Sequence, residues 1–138
     1  MATMATDFDV QTRELYAALE AHDIEKMLSF HTDDVFYEEV IADGPFSRGK
    51  EGLRTQLEGM FAAMPDVKME LISFFACGDR QCEESIMSGT QTGTFRGLPA
   101  SGKSFSVRVV AVRELKEGKT SRISFYYDSS SFMRQLGP

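Results

Sequence analysis

Along the first half of the chain, apolar positions recur with the period of an amphipathic helix. Phe8, Thr12, Leu15, Tyr16 and Leu19 share one face, and Ile24, Met27, Leu28 and His31 share another. The stretch from Val35 to Val40 then alternates as a strand does and stops at a Gly-Pro turn. Leu53, Leu57, Met60, Phe61 and Met64 restore the helical period until Pro65 ends it. The second half changes character: residues 67–77, 81–92, 104–115 and 120–128 are β-rich runs, separated by the turn-like segments CGDRQ, GLPASGK and KEGK. Helices followed by a meander of long strands predict an α+β fold, with the helices on one face of a curved antiparallel sheet. If the helices do not fill its concave side, a cone-shaped cavity remains, suited to a small apolar ligand.

Composition narrows the partners. At 138 residues the chain is a single domain, 1–138, that buries about two thirds of its unfolded surface without staples. Its 21 acidic and 15 basic residues give a net charge of −6, with no Lys/Arg cluster, which argues against nucleic acid and anionic membranes as partners. The N-terminal MATMATDFDV has no signal-peptide pattern, so a cytoplasmic location is expected. Cys77 and Cys82 have no His or Cys at ligand spacing and read as small buried hydrophobes in a reducing compartment.

The one place where chemistry stands out is FYEEV. A strand there sends one of Glu38 and Glu39 inward and the other to water. Alternation alone does not choose between them, because both faces carry comparable apolar neighbours.

The order of elements, with YAALEAHDIEKMLSFHTDDVFYEE, PFSRGKEGLRTQLEGMFAAMPDV, SGTQTGTFRGLPASGKSFSV and YYDSSSFMRQLG, resembles the SnoaL-like polyketide cyclases of the nuclear transport factor 2-like superfamily, which includes the ketosteroid isomerases. The likeness runs from about Thr12 to Gly137, and the hairpin TGTFRGLPASGK and the terminal RQLG are its most specific pieces. It implies a cone-shaped curved antiparallel sheet wrapped around the N-terminal helices, a cystatin-like α+β barrel. It also puts Glu39 where ketosteroid isomerases carry their pocket aspartate and Tyr16 at the place of their oxyanion-hole tyrosine. Tyr37 and Glu39 then face inward, with Phe36 and Glu38 outside. A carboxylate in an apolar pocket has its pKa raised above the ordinary value of about 4.3, so it can take a proton next to a carbonyl while a phenol donates to the developing enolate oxygen.

Departures from the family pattern are equally plain. Ala111 falls where relatives carry a second acid or a histidine, and Phe125 where the cyclases carry an acid/base aspartate. Asp128 matches a family aspartate but lies three residues on, on the opposite face. The resemblance also pairs the strands around GLPASGK so that Met87 meets Val109, Ser85 meets Ala111 and Glu83 meets Arg113, with odd positions facing the cavity. An inward Glu83 and Arg113 suggest a polar constellation in which Arg113 could hold a ligand carboxylate, phosphate or enolate bidentately. Tyr37, Phe61, Phe125 and Tyr127 complete the expected lining.

Each assignment has a plainer alternative. Glu39 as a half-exposed strand end, Tyr16 as a core aromatic, Glu83 with Arg113 as an ion pair at the sheet rim and His31 as a helix-end group stay open at this point. Two functions follow. One is a cofactor-independent, metal-independent proton-transfer enzyme, an isomerase or aldol-type cyclase acting on a small apolar carbonyl compound. The other is a ligand-binding or assembly module using the same pocket without turnover. The even positions Ile86, Arg108, Val110 and Val112 place apolar side chains on the convex face, which predicts a sheet-to-sheet homodimer.

Overall fold

The computed structural model describes residues 2–137, with side chains from Val10 onward. Phe8, counted on the first helical face, lies outside the described side chains. Helices α1 (Ala2–Glu20) and α2 (Ile24–Ser29) meet at a turn where His22 takes a left-handed φ of 57°. Asp23 caps α2 by accepting a hydrogen bond from the Lys26 amide at 3.1 Å. His31 does not extend a helix: it is the first residue of β1 (His31–Glu39), although its ring still bonds back to the Met27 carbonyl. A short β2 (Phe46–Arg48) leads into α3 (Gly49–Ala63), which stops just before Pro65 as the periodicity predicts.

Four long strands follow, β3 (Lys68–Cys77), β4 (Arg80–Thr90), β5 (Ser104–Lys116) and β6 (Lys119–Tyr127), and then α4 (Ser129–Leu136), which Asp128 caps through the Ser131 amide at 3.0 Å. The six strands form one open sheet in the order β2-β1-β6-β5-β4-β3. The sheet is mixed, which corrects the expectation of a wholly antiparallel one: β1 and β6 pair in parallel. The chain between them passes through α3 and the whole β3–β5 meander, and β6 returns in the direction in which β1 left.

α1 packs against β3 and α3 against β1, burying Leu15, Leu19, Leu53, Leu57, Val35 and Val67. α4 closes over β5, with Phe132 set edge-on to Phe105 at 4.9 Å. Odd positions of β4 and β5 point into this core, as alternation requires. The outer face holds half-buried Ile86, Val110 and Val112, with exposed Phe75 and Tyr126 beside them. Cys77 is exposed and Cys82 half-buried, against the expectation of buried thiols. Cys82 occupies an outward position of β4, and Cys77 pairs with Arg80 at the end of the β3–β4 hairpin. Among the described residues no helix is long and apolar enough to cross a membrane.

Candidate functional site

The concave face of the sheet and the helices enclose a cavity of about 260 Å³ whose walls are mostly apolar, Met27, Met60, Met69, Met87 and Phe125 among them. Two polar clusters interrupt these walls, one around Glu39 and one around Glu83. The two carboxylates lie in a single cross-strand row, Glu39 beside Phe125, Phe125 beside Ala111 and Ala111 beside Glu83. Both line the cavity.

Glu39 ends β1 and is buried, 8 % exposed. Its amide donates to the Pro45 carbonyl at 2.9 Å, and the next amide, of Val40, donates to Phe125 on β6 at 2.7 Å. The loop back to β2 runs so close that a Cβ on Gly44 would lie 1.9 Å from the Glu39 carbonyl oxygen, which explains the glycine in the Gly-Pro turn. Alternation is as expected: Tyr37 and Glu39 line the cavity, while Glu38 faces outward to Arg122 at 3.1 Å and Ser124 at 2.7 Å.

Four donors converge on the Glu39 carboxylate. The Tyr37 hydroxyl donates at 2.5 Å and that of Tyr127 at 2.6 Å, and Arg96 grips both oxygens, from Nη1 at 2.9 Å and from Nη2 at 2.5 Å. Burial raises the pKa of Glu39, but the hydrogen bonds from Arg96, Tyr127 and Tyr37 and the charge of Arg96 together outweigh it. The carboxyl therefore titrates below its ordinary value. That corrects the expectation of a raised pKa, which rested on an apolar pocket without a cation. Burial and the neighbouring carboxylate push the phenols of Tyr37 and Tyr127 upward, so both stay protonated and able to donate.

Arg96 is the residue sequence reasoning missed. It sits at the tip of a two-residue turn in which Phe95 and Leu98 exchange two backbone hydrogen bonds of 2.9 Å. Arg96 and Gly97 both have positive φ, 49° and 83°, the type I′ pattern that favours Asn-Gly. Arginine in that conformation costs roughly 1 kcal/mol. Stacking on the Phe95 ring at 4.5 Å and the bidentate grip on Glu39 offset it. An arginine where the turn chemistry asks for asparagine is the signal that could have found it.

At the other pole, Glu83 and Arg113 form an ion pair with side chains 1 % and 5 % exposed, so the alternative of a pair at the sheet rim does not hold. Arg113 donates from Nη2 at 3.0 Å and from Nε at 3.1 Å, and Gln81 and Tyr16 add bonds of 3.0 and 3.2 Å to the carboxylate. The cross-strand register is two residues off the predicted one. Glu83 lies opposite Ala111, Ser85 opposite Val109, Met87 opposite Val107 and Gln81 opposite Arg113. Glu83 and Arg113 meet diagonally, because two long side chains span the offset that two residues on one face leave between them.

Tyr16 lines the cavity, but its hydroxyl is engaged: it lies 2.6 Å from Ser85 Oγ as well as 3.2 Å from Glu83. With Ser85 donating to it and Glu83 accepting from it, its single proton is committed. Of the other predicted lining residues, Glu83, Met87, Val109, Arg113, Phe125 and Tyr127 reach the cavity. Phe61, Ser85 and Ala111 are buried behind its surface. Phe61 stacks on His22 at 4.2 Å, Ser85 bonds to Tyr16, and the short Ala111 side chain lies between its longer cross-strand neighbours Glu83 and Phe125.

An open curved sheet around helices, with a polar-tipped apolar cavity, defines a small-molecule pocket protein. The model of the SnoaL-like polyketide cyclases matches residues 10–136, and the chain belongs to that family. A candidate polyketide cyclase from Xanthomonas campestris superposes with a TM-score of 0.81 at 22 % identity, covering 91 % of this chain and 93 % of that one. TsrD from Streptomyces laurentii gives 0.79 at 24 % identity over 93 % and 96 %. A Catenulispora acidiphila protein of ketosteroid isomerase-like fold, solved in complex with trimethylamine, gives 0.76 at 19 % identity over 88 % of each chain. These likenesses establish the fold.

Proposed function

We propose that the chain is a cofactor-independent proton-transfer enzyme acting on a small, largely apolar carbonyl compound, with Glu39 as the base and Tyr37 and Tyr127 as the hydrogen-bond donors beside it. The observation that carries this reading is the convergence of two protonated phenols and one carboxylate at 2.5 and 2.6 Å inside an apolar cavity. When Glu39 takes a proton from carbon, its hold on the phenols weakens as negative charge appears on the substrate oxygen. The same O–H groups, with Arg96, can then turn to that oxygen. Base and oxyanion donors thus occupy one cluster, and Tyr16 positions Glu83.

The lowered pKa of Glu39 sets a condition on the substrate. A weak carboxylate base removes protons from carbon only where a second electron-withdrawing group already acidifies the C–H. A 1,3-dicarbonyl or comparably activated ketone meets that condition better than a simple ketone. Isomerisation and aldol-type ring closure both begin with that step.

A specific observation favours the second reading, ligand binding without turnover. Glu39 already accepts four hydrogen bonds, and Ala111 and Phe125 stand where relatives carry further acid/base groups. Deuterium incorporation from heavy water into a panel of cyclic ketones and 1,3-diketones separates the two. Exchange faster than in buffer supports the enzyme; ligands that bind without any such exchange support the binding module.

We also propose a homodimer formed through the outer face of the sheet, where Phe75 is 65 % exposed and Tyr126 44 % exposed beside Val110 and Val112.

A further inference from the structure

His31 takes no part in the proton transfer, yet it lines the same cavity while being only 5 % exposed. Its Nδ1 lies 2.8 Å from the Met27 carbonyl oxygen, which can only accept, so Nδ1 carries the hydrogen. Burial and the charge of Arg113 lower its pKa to about 3, leaving the ring neutral. Nε2 therefore presents a lone pair, and among the described residues no side chain or amide donates to it. Nor is that nitrogen sealed within packed atoms as an orphaned polar group. A buried imidazole with one nitrogen fixed on the backbone and the other open to an apolar cavity is a preset hydrogen-bond acceptor.

A donor stands next to it. His31 pairs across the β1–β6 ladder with Thr120, and Arg113 Nη1 donates to Thr120 Oγ1 at 3.2 Å. The guanidinium has five N–H groups, of which Glu83 and Thr120 take three, so one hydrogen on each terminal nitrogen is left for another acceptor. An acceptor lone pair beside free N–H groups matches a hydroxyl, which donates with its hydrogen and accepts with its oxygen.

We propose that His31 and Arg113 form a second polar pole of the cavity that binds a ligand hydroxyl, phenolic or enolic, with the O–H donating to His31 Nε2 and its oxygen accepting from Arg113. The ligand is then a compact, mainly apolar molecule with a hydroxyl at one end and a carbonyl toward Glu39 at the other. This inference rests on the cavity being a ligand site, and is independent of whether Glu39 transfers protons.

The test compares 1-naphthol with 1-methoxynaphthalene, which has the same rings and an ether oxygen but no proton to donate. Dissociation constants measured by naphthalene fluorescence should favour naphthol by about three- to tenfold in the natural protein, the range of one hydrogen bond. In His31→Phe that preference should vanish, with methoxynaphthalene binding little changed. Equal binding of the two probes to the natural protein, or a preference that survives His31→Phe and disappears in Glu39→Gln, overturns the second pole while the cavity stands. No binding of either probe overturns the pole and the ligand-site reading together. Because His31→Phe also removes the bond to Met27, the ¹⁵N resonance of Nε2 in the unsubstituted protein gives an independent readout. Naphthol should shift it upfield from the unbonded pyridine-type position; an unmoved resonance at saturating naphthol refutes the proposal.

Discussion

Removing the Arg113 guanidinium tests how the Glu83 pole is built. In Arg113→Met the Glu83 carboxylate, 1 % exposed, keeps Tyr16, Gln81 and Thr12 but loses the guanidinium paired with it and the two bonds of 3.0 and 3.1 Å that it donates. Stranding one member of a buried pair typically costs about 3–5 kcal/mol. That is a large share of the roughly 5–15 kcal/mol that holds a domain of this size together. Removing both charges, as in Glu83→Leu with Arg113→Met, should cost less than Arg113→Met alone, since no unpaired charge is left in the core. Urea unfolding of the natural protein, both single variants and the double variant closes the cycle, and a coupling of about 2 kcal/mol or more is expected. Additive losses, or an Arg113→Met cost below about 1 kcal/mol, would refute a buried pair. The double variant keeps the test usable if Arg113→Met alone does not fold.

Two further perturbations address the other pole and the outer face. Arg96→Met removes the cation and two hydrogen bonds from Glu39, so its pKa should rise from its lowered value in the natural protein; a ¹³C titration of the Glu39 carboxyl that does not move would contradict this. In the natural protein the lowered pKa means that Glu39 contributes stability above the ordinary glutamate value that is lost as pH falls through its folded value. Acidification from neutral should therefore destabilise the natural protein more than Glu39→Gln, as read by thermal unfolding at several pH values. Light scattering at micromolar concentration should give a dimer that Val110→Asp converts to monomer, and a monomeric natural protein would refute the outer-face interface.

Much of the fold was legible because long periodic segments report their own burial. The 3.6 period of α3 and the alternation of β4 and β5 follow from local sequence, whereas the choice of Tyr37 over Phe36 for the inside came from the family resemblance. The register was not legible, because it is set in the loop. At Gln91 the chain leaves the ladder, closes on Lys103 at 3.0 Å, and then docks Thr92 and Gly93 on the Ala63 carbonyl at the end of α3. Those contacts join distant segments, and the resemblance used to pair the strands could not count them. The parallel β1–β6 pair is equally a product of tertiary return.

The chemistry of Glu39 was only half legible for the same reason. Its inward position was legible from the family resemblance, since strand parity alone did not choose between Glu38 and Glu39, but its pKa depends on Arg96, brought to it by a hairpin far along the chain. Tyr16 shows the converse: it lies on the cavity wall as expected, and its proton is taken by a glutamate two strand positions from the predicted partner row.

The most direct measurement is the rate of proton exchange next to the carbonyl of an activated ketone that the cavity binds, compared between the natural protein and Glu39→Gln. Glutamine keeps the size of the side chain and removes the base, so exchange should fall by a factor on the order of a hundred or more, with ligand affinity changed far less. Tyr37→Phe and Tyr127→Phe, which each remove one donor, should slow exchange without abolishing it, whereas Tyr16→Phe should mainly lower stability. Exchange that survives Glu39→Gln unchanged would show that Glu39 is not the base.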